Sequence, residues 1–197
     1  MWSRALPVIT LLLIATSDFA RADAELHLHF TALQRILAEQ VFTQDGRKYV
    51  RGNPVSKCNF AYLENPRIAE EQGRLRIQAR FSGRTAANVF GKCIGLGDSF
   101  DVTILASPVY RQGAIALQGV QVNTGGRDSF YIRRVRSAMA VSLARDFTYG
   151  IQEDARRIFE QKRENSYKPE LASFYVPRMR VSPEAIVLTV DFRLAVK

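Results

Sequence analysis

The stretch from Ser129 to Arg163 limits the folds open to this chain more than any other. Ile132, Val135, Met139, Leu143, Phe147, Ile151, Ala155 and Ile158 succeed one another at steps of three or four. That is the helical period, and it puts them on one stripe. Asp128 or Ser129 offers a side-chain oxygen to cap the first turn. The spacing predicts one long helix, about 50 Å at ~1.5 Å per residue. Gly150 is where it is open to a kink or a split, since glycine costs about 1 kcal/mol against alanine in a helix interior. From Ser137 to Ala144 the chain reads SAMAVSLA, uncharged on every side, while basic residues crowd both ends. A segment that is small and apolar all round is ordinarily covered on more than one side. The middle is therefore expected to be enclosed and the ends wet.

The rest of the chain supplies strands for that cover. Leu26, Leu28 and Phe30 alternate with His27 and His29, and Thr31 with Gln34 has the form of a capping box. A short helix follows, with Leu33, Ile36, Leu37 and Val41 on one face, ending in a turn at Asp45-Gly46. Strand alternation recurs at 58–63, 74–81, 100–106, 115–122 and 186–196. Turns are expected at Gly73 and Gln112-Gly113, and a bulge at Gly119. Residues 82–98, with Gly91, Gly95 and Gly97 among their apolar side chains, read as a loop or short helix pinned by Cys93. Asn165 to Pro169 reads as a polar linker, and Pro177 breaks a short extended piece around Phe174 and Met179. The expected class is α+β: a curved antiparallel sheet wrapped around one long helix, with a short N-terminal helix, in a single domain over 23–197.

Residues 1–22 read as a cleaved signal peptide. Arg4 is a basic start, Ala5 to Thr16 is an apolar run too short to span a bilayer, and Ala20-Arg21-Ala22 fits a small-x-small cleavage site. Cleavage is expected after Ala22, or failing that after Ala24. The chain would then be periplasmic or secreted, where two cysteines meet an oxidising compartment. A Cys58–Cys93 disulfide is expected, with two free thiols as the alternative. The formal charge is +9; removing residues 1–22 takes away Arg4, Arg21 and Asp18 and leaves +8. A basic exported protein suits an anionic membrane surface or an acidic envelope protein, and export argues against nucleic acid.

No catalytic constellation emerges. His27 and His29 are the only histidines, the carboxylates are scattered, and no metal set or cofactor loop is evident. An enzyme is not expected. The order of elements, with LHLHFTALQRIL at the start, TILASPVYRQGAIALQGVQV in the middle and MRVSPEAIVLTVDF at the end, resembles the single-module bacterial envelope branch of the tubular lipid-binding superfamily. That resemblance implies an apolar groove between a curved sheet and the long helix, holding a lipid or hydrophobic small molecule. Phe100, Ile104, Met139, Leu143, Phe147 and Leu188 are the candidate lining. The competing expectation is a ligand-free envelope scaffold that uses an arginine-rich strand face at Arg74, Arg76 and Arg80.

Overall fold

The computed structural model describes residues 24–161 and 169–196. The expected signal peptide and residues 165–168 of the expected linker lie outside that range. In chain order the elements are β1 (Ala24–His29), α1 (Phe30–Gln40), β2 (Arg47–Arg51), β3 (Asn59–Glu71), β4 (Arg74–Val89), β5 (Lys92–Arg111), β6 (Ala114–Asn123), α2 (Phe130–Asp146), β7 (Thr148–Tyr149), α3 (Ile151–Phe159), β8 (Pro169–Val181) and β9 (Ala185–Val196). Six strands form a curled, half-barrel sheet in the order β2-β3-β4-β5-β6-β7. The other three form a smaller sheet, β1-β9-β8. All pairings are antiparallel.

The fold is therefore mostly strand, which corrects the expected class: three short helices replace the single long one. The stripe is real, but the rod is not. Phe147 caps α2 with an extended backbone, Thr148 and Tyr149 pair with Ala116 and Ile115 of β6, and α3 starts after Gly150. Phe147 and Ile151 stay buried on either side of this break, so the apolar period runs through it unaltered.

Nor is the uncharged middle enclosed. Met139, Ser142 and Leu143 are buried, whereas Ser137, Ala138, Val141 and Ala144 face solvent. Small uncharged residues can line a wet face as readily as a dry one, since an exposed alanine leaves little apolar area in water. Ser129 does cap α2, its hydroxyl accepting the Ile132 N–H at 3.2 Å.

The hairpins follow their turn chemistry. β3–β4 and β5–β6 close through Gln72-Gly73 and Gln112-Gly113, both residues of each pair at positive φ, as tight hairpin turns require. The bulge falls where expected: Gly119 and Val120 together oppose Ala106, with Gly119 at φ +61°. Arg74 reaches across β5 to donate to Gly119 O at 2.7 Å and Leu105 O at 3.2 Å, tying down the backbone at the bulge.

Three local expectations are corrected. Residues 82–98 are not a loop or short helix; they extend β4 and β5 into a hairpin arm turning at Phe90-Gly91. There is no capping box. The helix already begins at Phe30, and Gln34 instead bridges the bulge in β3 at Asn65-Pro66, donating to Pro66 O and accepting the Ile68 N–H at 3.2 Å. Pro177 does not end its strand, because it sits in a bulge that removes the need for its missing N–H.

The core is one cluster shared by both sheets and by α1, α2 and the start of α3. It includes Leu33, Leu37, Phe81, Ile104, Met139, Leu143 and Leu188. Cys58 and Cys93 are bonded, with Cα atoms 5.2 Å apart.

Candidate functional site

One concave apolar surface left open lies between the small sheet and α3. Gly150 precedes the helix, Ile151 sinks into the core, and the Gln152 N–H bonds Gly113 O at 2.9 Å. Glu153 and Asp154 occupy the first turn, where carboxylates complement the unpaired N–H groups, and Arg156 and Arg157 occupy the last. Arg157 pairs with Asp154 at 2.7 Å, and Arg156 with Glu153 at 3.3 Å. At the far end Glu160 accepts the Leu171 N–H of β8 at 3.2 Å. Tied at one end to the β5–β6 turn and at the other to β8, the helix leaves part of β1 uncovered.

The result is a groove of about 420 Å³. One wall is β1, through Leu26 and Leu28; the other is α3, through Ala155 and Ile158; Phe174 and Phe192 are also in its lining. Strand alternation puts Leu26 and Leu28 on the same side of the sheet as their partners Leu188 and Ile186, so the groove face continues the core face outward. Two of its apolar side chains are left in water to a degree that decides the reading: Leu26 is 42% exposed and Ile158 64%. A concave surface of this kind has apolar area still to bury.

The polar groups of the groove are partnered. Glu25 lies 3.5 Å from His27 and 3.9 Å from Arg180, and Asp154 is held by Arg157. Tyr149, also in the lining, has its phenol pushed up to about 12, chiefly by burial and then by its hydrogen bond to the Asp154 carboxylate. Nothing in this set activates a nucleophile or water. Among the described residues no three His, Cys, Asp or Glu side chains are placed to hold a metal. His27 and His29 are both exposed, with ring centroids 6.4 Å apart.

The six residues expected as lining sit elsewhere. Phe100, Ile104, Met139, Leu143, Phe147 and Leu188 are all buried in the closed core, and none borders the groove. The residues that do line it include the end of the same stripe, Ile151, Ala155 and Ile158, together with Leu26 and Leu28 of the first alternating strand. The signal was present in the sequence. After Gly150 the stripe continues on a helix whose other side is polar and mostly charged, with Gln152, Glu153, Arg156 and Arg157.

The three arginines expected to present a docking face are engaged within the sheet. Arg74 also bonds Gln121, Arg76 bonds Glu71 at 3.4 Å, and Arg80 faces Asp101 at 3.6 Å. No protein-family model, curated protein or solved structure matches the chain.

Proposed function

We propose that this chain is an exported binder or carrier of a lipid or similar apolar molecule, held in the groove between β1 and α3. The observation that carries the reading is the groove itself: about 420 Å³, apolar-lined, partly open, with its charges paired at the rim. Its volume falls within the roughly 300–1,000 Å³ of small-molecule sites. An acyl chain gains about 0.8 kcal/mol for each methylene buried, so a long chain binds without a dedicated polar contact. The cost of association takes back part of that gain, which favours a carrier that can also release.

The compartment follows from other features. A disulfide is at home in an oxidising compartment. No helix among the described residues is long and apolar enough to cross a membrane. The apolar run Ala5 to Thr16 ahead of Ala20-Arg21-Ala22 has the form of an export signal, which supports a periplasmic or secreted location.

The reading is tested by titrating the chain with a fluorescent fatty acid, alongside Ala155→Trp, which puts an indole into the groove. The expected result is saturable single-site binding that weakens at least about tenfold in the variant, a loss of ~1.4 kcal/mol. Equal binding by both proteins would refute it.

A further inference from the structure

Four tight turns among the described residues share one backbone form, a non-glycine residue at positive φ followed by a glycine at positive φ: Asp45-Gly46, Gln72-Gly73, Phe90-Gly91 and Gln112-Gly113. Three of them put a polar residue first. The fourth puts Phe90 there, at φ +50°, with its side chain entirely in solvent at 102% exposure. A bulky residue in this conformation is a genuine outlier, and a strained backbone that persists points to a role for the side chain. Phe90 caps the β4–β5 hairpin arm, which runs on past buried Gly83 by about 20 Å at ~3.3 Å per residue.

The arm is apolar along the face that continues the core side of its strands. Val89, Ile94 and Leu96 all stand in solvent on it. It is also held stiff. Cys93 near its tip is bonded to Cys58, and the Asn59 side chain donates to Ala86 O at 2.9 Å and accepts the Ala86 N–H at 3.3 Å. The disulfide brings the 52–58 loop alongside, adding exposed Val55.

Beyond the base of the arm, where Asp98 is paired with Arg127 at 3.0 Å, the charges are all of one sign. Within 49–59 and 84–97 the charged residues are Arg51, Lys57, Arg84 and Lys92, with no carboxylate. The cleft at the base of the arm, lined by Arg51, Phe130 and Arg134, has no acidic residue either.

We propose that the β4–β5 hairpin tip docks the protein on an anionic lipid surface, with Phe90 entering the interfacial layer and Lys57 and Lys92 contacting lipid phosphates. An aromatic tip flanked by cations matches both components of such a surface: apolar side chains enter it by roughly 5–10 Å, and basic residues are drawn to its negative potential. A second copy of the chain is a poor occupant, because it would bring two cationic patches together with no carboxylate between them. The inference does not rest on the groove, which is built from other strands.

Vesicle co-sedimentation of the disulfide-bonded chain tests it, using phosphatidylcholine alone and phosphatidylcholine with one part in four of phosphatidylglycerol. The expected result is binding to the anionic vesicles, weak binding to neutral ones, and loss on adding salt. Phe90→Gly should lose at least about tenfold in binding while its thermal midpoint holds or rises, because glycine relieves the left-handed position. Phe90→Leu should retain most of the binding, and K57Q/K92Q should lose much of the preference for phosphatidylglycerol. Ala155→Trp should sediment like the parent chain, so failure of the groove reading and failure of this one are separately visible. A chain that ignores both vesicle types, or a Phe90→Gly variant that binds as the parent does, would overturn the proposal. So would a parent dimer that Phe90→Gly disperses, since that gives the face to a second copy.

Discussion

The rings of Phe159 and Phe192 stack with centroids 5.3 Å apart and planes 25° from parallel, joining the last turn of α3 to β9 beside the groove. Both side chains are half-buried and both line the groove. The contact ties the last turn of the helix to the sheet at the edge of the groove. Phe192→Ala should cost about 2 kcal/mol, from lost stacking and partial burial, as read by urea denaturation. It should also broaden the range of ligands accepted, measured by displacement of a bound fluorescent fatty acid.

Asp146 ends α2 and gathers Arg145 at 2.6 Å, Ser142 at 3.0 Å and the Lys48 ammonium of β2. Arg145 first, then Lys48 and Ser142, hold its carboxyl well below the usual carboxylate range, against the opposing effect of burial. A folded value below the unfolded one stabilises the fold above the unfolded pKa, and that stability is lost as pH falls through it towards the folded value. Asp146→Asn should therefore be less stable at neutral pH by about 1–2 kcal/mol, Arg145 being largely exposed and its share screened. The gap between the two proteins should close as pH falls from about 5 to about 2, when followed by circular dichroism in urea.

Much of this fold was legible because strand alternation and turn chemistry are local. Leu75 to Phe81 and Phe100 to Ala106 read correctly as one-faced strands, and Gly119 as a bulge. The cysteines read as a pair because there are two of them in a sequence that reads as exported. The break at Gly150 was open as an alternative, but periodicity could not choose it: Phe147 and Ile151 both face the core, so the stripe is the same for one helix or two. Residues 82–98 were misread because their alternation is diluted by glycine and ends in solvent, leaving no buried face to read. The site was half legible. The stripe belonged to the groove only at its Ile158 end, because closed and open apolar surface look alike in a sequence.

Gln34 shows the same limit from another side, since its spacing from Thr31 suggested a local cap and its amide instead closes the β3 bulge on Pro66 O and Ile68 N–H. Gln34→Ala leaves two part-buried backbone groups without that partner. It should destabilise the chain by about 1–2 kcal/mol in denaturant melts, with faster amide exchange at Ile68.

The Cys58–Cys93 bond spans a sequence separation of 35. Closing a loop of that size restricts the unfolded chain, and the chain-entropy relation gives about 3–4 kcal/mol. A C58S/C93S variant should unfold at correspondingly lower urea. Its hairpin arm should also become more open to proteolysis at Lys92, which limited trypsin digestion followed by mass spectrometry would show.

The most direct measurement of the central claim is native mass spectrometry of the chain purified from cells under mild conditions. The groove account predicts a non-covalent adduct of lipid mass on the parent protein, stripped by collisional activation and absent from Ala155→Trp. An adduct-free parent protein, or the same adduct retained undiminished by Ala155→Trp, would contradict it.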